Sequence, residues 1–167
     1  VNSEKSEFMM NQLCGASLTT DGNCTWTVWA PKAEFVDLVL YDTLGAEHST
    51  KRMHVQSDGF VRWEQKNIQP GQRYAFRLDG RDPRPDPASR WQPNGVHQPS
   101  AVWRAEDYNW KNSCGPVFTL QDLVIYELHP GTFTPEGTFA AIIPRLAELR
   151  ELGITTIELM PVGQFPG

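Results

Sequence analysis

No run of about 18 consecutive apolar residues occurs in the sequence, so a helical membrane span is not expected. Its first eleven residues lack a basic region followed by an apolar stretch, so no secretory signal is expected, and residues 1–12 read as a leader outside the fold. Cysteine is scarce. Cys14, Cys24 and Cys114 are odd in number and form no Cys-x-x-Cys pair, which argues against a disulfide framework or zinc knuckle and fits a reducing cytoplasm. Positive charge is also in deficit. Fifteen Lys and Arg stand against 20 Asp and Glu, a net charge of −5, whereas affinity for a nucleic-acid backbone comes from cations that release counterions. The arginines of residues 73–90 are interleaved with Asp79, Asp82 and Asp86, the pattern of a solvated or internally paired loop, so no nucleic-acid partner is expected. Metal-ligand spacing, a phosphate loop and a dinucleotide fingerprint are all missing; no metal and no cofactor are expected.

What is present is enough apolar material, 40% of 167 residues, to build a packed core of one domain or of one and a fraction. Residues 25–78 read as short strands separated by turn residues. Thr25-Trp26-Thr27-Val28-Trp29 alternates with period two until Ala30-Pro31 stops it, and Val36-Asp37-Leu38-Val39-Leu40-Tyr41 runs into Asp42-Thr43-Leu44-Gly45. Phe60-Val61-Arg62-Trp63 follows Ser57-Asp58-Gly59, and Tyr74-Ala75-Phe76-Arg77-Leu78 follows Gln69-Pro70-Gly71. Closely recurring strands of this kind predict an antiparallel β-sandwich over residues 13–80. Residues 81–121 predict a proline-rich connector. Pro83, Pro85, Pro87, Pro93 and Pro99 fix φ and remove backbone donors, so neither a helix nor an interior strand passes through, while Trp91 and Trp103 suggest that the segment packs down.

From residue 122 the pattern changes to α/β. Leu123-Val124-Ile125-Tyr126-Glu127-Leu128 is a nearly continuous apolar run, expected of a strand buried on both faces. Thr138 caps a helical segment whose apolar positions Phe139, Ile142, Leu146, Leu149 and Leu152 follow a 3.6 period, and Gly153 stops it. Pro144 either kinks that helix or opens its main part. Ile154-Thr155-Thr156-Ile157-Glu158-Leu159 reads as a second strand, completing one βαβ unit.

Several stretches resemble a known family. Trp26-Thr27-Val28-Trp29-Ala30-Pro31 is similar to the opening of the β-sandwich that precedes the barrel in glycoside hydrolase family 13. The connector from Asp86-Pro87-Ala88-Ser89-Arg90-Trp91 to Gln98-Pro99-Ser100 resembles that of the malto-oligosyltrehalose trehalohydrolases. So do Tyr126-Glu127-Leu128-His129, the Gly131-Thr132-Phe133-Thr134-Pro135-Glu136-Gly137 turn and Ile157-Glu158-Leu159-Met160-Pro161. The resemblance implies an immunoglobulin-like β-sandwich followed by the first βαβ unit of a (β/α)8 barrel, truncated after its second strand, since residues 122–167 fall far short of the about 250 a barrel needs. It implies hydrolysis of the α-1,4 linkage next to the terminal trehalose of malto-oligosyltrehalose by a retaining carboxylate pair. The family's three carboxylates end the fourth, fifth and seventh barrel strands, so no catalytic residue is expected among these 167. The expected partners are an α-1,4-glucan and the remaining barrel.

Pro130 departs from the family, which commonly has a small branched residue there; it removes a backbone donor and restricts His129, and so predicts an altered exit from the first barrel strand. His129 and Glu127, near the end of that strand, are the candidate substrate contacts, although Glu127 and Glu158 fit structural hydrogen bonds as well. Trp26 and Trp29 are the candidate sugar platforms. Their odd spacing sends them to opposite faces of one strand, so they cannot both be core. Two other readings stay open: a non-catalytic α-glucan-binding module, and the front of a glycogen branching or debranching enzyme.

Overall fold

The structure is a computed structural model that describes residues 14–111 and 118–163. The expected leader at 1–12 and Cys114 lie outside the described residues. The chain divides into two compact units, which meet between Asn109 and Trp110 in sequence.

The first unit is a β-sandwich. β1 (Gly15–Leu18), β2 (Cys24–Trp29) and β5 (Phe60–Gln65) form an antiparallel sheet in the order β1-β2-β5. β3 (Phe35–Tyr41), β4 (Glu47–His54), β6 (Arg73–Leu78) and the short β7 (Ser100–Ala101) form a second, in the order β4-β3-β6-β7, antiparallel throughout. The period-two pattern decides which side chains go inside. Cys24, Trp26 and Val28 from β2 meet Val36, Leu38 and Leu40 from β3 and Tyr74 and Phe76 from β6 in one core. Trp26 and Tyr74 pack edge to face with centroids 6.1 Å apart, and Tyr74 and Phe76 do the same at 5.8 Å.

All four expected strands are present. β1, β4 and β7 were not anticipated, because Gly-Ala-Ser-Leu, Glu-His-Ser-Thr-Lys-Arg-Met-His and Ser-Ala lack a clean alternation. In β4 only Met53 is buried; its partner strand and not its own pattern specifies it. One outward-facing carboxylate, Asp37 on β3, is nonetheless buried. Arg52 on β4 donates from Nε at 2.9 Å and from its second terminal nitrogen at 3.3 Å, and its guanidinium lies 3.9 Å above the Phe35 ring.

The first unit includes most of the proline-rich segment. Phe76 and Arg84 exchange backbone hydrogen bonds of 2.9 and 2.8 Å, extending the sheet locally, and Ala101 donates to the Trp91 carbonyl at 2.8 Å. Asp86, Ser100 and Val102 are buried. At Gly15, φ is +107° and the Ala88 carbonyl oxygen lies 3.1 Å from where a Cβ would stand, so this segment passes over β1 at a distance only glycine allows comfortably.

In the second unit, β8 (Ile125–Leu128) and β9 (Thr156–Leu159) pair in parallel, with Glu127 opposite Glu158. Between them come helical turns at Pro130–Phe133 and Phe139–Ile142, a 3-10 turn at Ile143–Arg145 and a helix at Leu146–Glu151. Thr138 Oγ1 accepts from the Ala141 N–H at 3.3 Å, the expected cap, and Gly153 ends the segment at φ +97°. Pro144 sits inside the 3-10 turn that joins two α segments, an outcome between the two alternatives open from sequence.

Leu128, Ile142 and Leu149 form this unit's core, flanked by Tyr126, Phe133 and Ile157. Residues 123–128 are not buried on both faces as their apolar run predicted. Leu123 and Val124 precede the ladder, and Ile125 is 54% exposed, because two strands under one helical layer leave the opposite face uncovered.

Candidate functional site

The described residues of the first unit enclose a cleft of about 520 Å³ over the outer face of the four-stranded sheet. Its floor comes from Tyr41, Glu47, Arg73 and Ala75, which point outward because their neighbours Leu40, Tyr74 and Phe76 point into the core. The rest of its lining comes from two stretches of the proline-rich segment, Pro83 and Pro85 and then Asn94, His97, Gln98 and Pro99, which form two wall segments next to residues paired with β6 on its edge away from β3. Prolines suit this place. Their rings offer apolar surface, and their fixed φ keeps the wall from collapsing into regular structure.

Within the cleft, hydrogen-bonding groups converge above apolar rims. Arg77 donates to the Glu47 carboxylate at 2.6 Å, and Arg73 donates to the Thr43 carbonyl at 3.1 Å. Burial pushes the Tyr41 hydroxyl above its ordinary pKa, and the Glu47 carboxylate adds to the effect, so Tyr41 remains a neutral donor at physiological pH. With the Tyr41 hydroxyl, the Arg73 guanidinium, the Glu47 carboxylate and the Asn94 and Gln98 amides around it, the cleft offers both donors and acceptors between proline rings, a set that hydroxyl groups can bind.

The residues singled out from sequence lie elsewhere. Trp26 is fully buried in the sandwich core, so its expected role as a sugar platform is corrected: no ring face is available to a ligand. Trp29, on the opposite face of the same strand, is 60% exposed and sits beside Phe60 across the β2–β5 pair, so of the two it alone presents a surface. Glu127 is exposed and neighbours Glu158 on the face opposite the helices.

His129 directly follows β8. Its Nδ1 accepts the Gly131 N–H at 3.1 Å, which makes the ring the N-cap of the Pro130–Phe133 turn and leaves Nε2 as the imidazole edge available to a ligand. Pro130 fits here without backbone strain. His129 has extended backbone, φ −101° and ψ 119°, which a residue before proline prefers, and Pro130 occupies the first helical position, where an N–H would lack an intrahelical partner anyway.

Sequence reasoning missed the cleft. Its floor residues looked like the solvent side of ordinary strands. The one available signal was the Asn94-Gly95-Val96-His97-Gln98 stretch, polar residues held between Pro93 and Pro99. Among the described residues no His, Cys, Asp and Glu cluster fits a metal ion, and no helix is long and apolar enough to cross a membrane.

Residues 14–93 match the family model of carbohydrate-binding module 48, the isoamylase N-terminal domain. The malto-oligosyltrehalose trehalohydrolase of Saccharolobus solfataricus is 41% identical over 153 residues, covering 92% of this chain and 26% of that protein. The chain thus spans about a quarter of the length of this curated relative. An alpha amylase candidate from Salmonella typhimurium, solved at 1.4 Å, superposes with a TM-score of 0.82 at 38% identity over 92% of this chain and 25% of its own. A pullulanase from Anoxybacillus sp. LM18-11, crystallised with maltotetraose, superposes with a TM-score of 0.76 over 92% of this chain and 26% of its own; at 24% identity it speaks for the fold alone. The resemblance to malto-oligosyltrehalose trehalohydrolases, read from motifs, is borne out over most of the chain.

Proposed function

We propose that this chain is the front end of a retaining glycoside hydrolase of the α-amylase type, one that hydrolyses the α-1,4 linkage next to the terminal trehalose of malto-oligosyltrehalose. The similarity at 41% identity carries the reading, because it extends beyond the carbohydrate-binding module through the βαβ unit and covers 92% of the chain. In this reading residues 13–80 carry six strands of the immunoglobulin-like sandwich, 81–121 are a connector that packs on it and adds β7 at its edge, and 122–167 are the first part of a (β/α)8 barrel. The parallel pairing of β8 with β9 supports that last assignment, since every neighbouring strand pair of such a barrel is parallel.

Barrel active sites form at the carboxyl ends of the strands. Leu128 ends β8, so His129 would stand at that rim, its Nε2 edge offered to a sugar hydroxyl, with Glu127 one residue earlier on the strand. Neither is proposed as nucleophile or acid. A retaining pair must flank the scissile bond at about 5 Å from one another. The resemblance puts the family's three carboxylates at the ends of the fourth, fifth and seventh barrel strands, so the chemistry is assigned to later strands, and the 167 residues alone are proposed to be inactive. The free thiols of Cys14 and Cys24 agree with a cytoplasmic enzyme.

The cleft favours a second contribution, retention of the α-glucan outside the barrel. Its volume lies within the range of small-ligand sites, and its donors and acceptors are of the kind that hydroxyl groups bind. The test uses maltotriosyltrehalose and a linear maltopentaose with the 167-residue chain and with a chain extended to the length of its relatives. Trehalose release by the extended chain alone is expected. Branch formation or branch cleavage in its place would overturn the assignment, and trehalose release by the 167 residues would overturn the inactivity.

A further inference from the structure

Both walls of the cleft end on the same buried junction. Pro83 and Pro85 lead directly into Asp86, and residues 94–99 lead directly into Ser100. Asp86 is 3% exposed and Ser100 fully buried, and the Asp86 N–H donates to Ser100 Oγ at 3.0 Å. The two walls are therefore joined to one another, N–H to hydroxyl, at their bases.

The same aspartate ties them to the core. Tyr74 donates its hydroxyl to Asp86 Oδ2 at 2.6 Å, while Oδ1 accepts the Ala88 N–H at 2.8 Å, so each carboxylate oxygen has a donor. Tyr74 itself is 1% exposed and is held between Trp26 and Phe76 by edge-to-face contacts. Its ring cannot shift without moving both aromatics, so its hydroxyl is a fixed point from which the carboxylate hangs. A lone buried carboxylate would be a poor element of stability, because its desolvation offsets much of what its hydrogen bonds return. Its value lies in position: a donor at each oxygen allows one placement of the chain at residue 86.

We propose that the Tyr74–Asp86–Ser100 junction is the positioning device of the cleft, fixing where its two wall segments lie against the sheet, and that Tyr74 and Asp86 act on a bound α-glucan only through those walls. The effect on glucan rests on the reading of the cleft given above; the effect on the walls does not.

The test compares the 167-residue chain with Tyr74→Phe, which removes one oxygen and keeps the ring, and with Ser100→Ala, which cuts the wall-to-wall bond alone. Hydrogen exchange and titration with maltoheptaose are read on each. Amides of residues 84–98 are expected to exchange about tenfold faster in both variants, while those of β2 and β3 keep their protection. Maltoheptaose affinity is expected to fall several-fold in parallel. Unchanged exchange at residues 84–98 in either variant, or equal loss of protection across β2 and β3, overturns the proposal. So does maltoheptaose binding that stays at the level of the unaltered chain while the walls loosen. Loosened walls in a chain whose unaltered form gives no maltoheptaose signal support the positioning role and overturn the glucan reading alone.

Discussion

Trp26 and Trp29 stand three residues apart on β2 and occupy opposite environments: Trp26 is fully buried against Tyr74, whereas Trp29 is 60% exposed beside Phe60. The odd separation on a period-two strand produces this contrast. Their substitutions should therefore diverge. Trp26→Ala is expected to cost about 3–5 kcal/mol, the transfer and cavity cost of a large core aromatic, and Trp29→Ala no more than about 1 kcal/mol. Trp26→Phe should cost less than Trp26→Ala, partly because the indole N–H has no hydrogen-bond partner among the described residues and its removal orphans nothing. Urea denaturation followed by circular dichroism measures all three; equal costs for the two alanine variants would contradict the burial contrast.

Burial raises the pKa of Asp86 above the ordinary carboxylate value, outweighing the opposing hydrogen bonds from Tyr74 and Ala88 and the field of Arg90. The folded state thus holds this proton more tightly than the unfolded chain. The associated stability is complete below the unfolded carboxylate range, about pH 3.9, and is lost as pH rises through the elevated pKa. Asp86→Asn removes the titration. Denaturation midpoints of the two proteins across pH 4 to 8 should show the unaltered chain losing ground to the variant as pH rises, then a constant difference. A difference that grew in favour of the aspartate with rising pH would reverse the assigned sign.

Cys24 lies fully buried in the sandwich, and burial pushes its thiol up to about 12. Iodoacetamide at pH 8 should leave Cys24 unmodified in the folded protein and alkylate it in urea, with half-buried Cys14 as the internal comparison. Peptide mass spectrometry reads each site separately. Rapid native labelling of Cys24 would mean that the sandwich opens far more readily than its packing implies.

Gly137 and Gly153 both have positive φ, +63° and +97°, but only Gly137 is crowded, with the Gly131 carbonyl oxygen 3.0 Å from where a Cβ would stand. Gly153 has open space around it. Alanine at Gly153 should cost about 1 kcal/mol for conformational strain alone, and alanine at Gly137 about 1–3 kcal/mol because the turn at residues 131–137 must also shift. Thermal melts combined with hydrogen exchange over residues 129–138 compare the two. A larger cost at Gly153 would count against the close approach of the two glycine backbones.

Much of the fold could be read directly. The alternation in Thr25-Trp26-Thr27-Val28-Trp29 determines which side of β2 faces inward, and the 3.6 spacing of Ile142 and Leu149 selects the helix face that packs on Leu128. β4 was not legible, because Glu-His-Ser-Thr-Lys-Arg-Met-His buries one residue and is a strand only by pairing with β3. Trp26 could not be told from Trp29 as the buried member of the pair, since period two separates faces without saying which is inside.

By itself, then, the sequence determined the strand-rich front half, the βαβ unit after it and the family likeness, all of which rest on residues close together in the chain. Only the tertiary structure decided the cleft. Tyr41 and Arg73 meet through the pairing of β3 with β6, while Pro83 and His97 come from a later segment that the Phe76–Arg84 bonds and the buried Tyr74–Asp86 contact, twelve residues apart in the chain and 2.6 Å apart in space, hold against that sheet. Local periodicity records whether a residue points toward the core. It does not record which distant segment, held by a hydrogen bond formed only after folding, comes to lie across the other side.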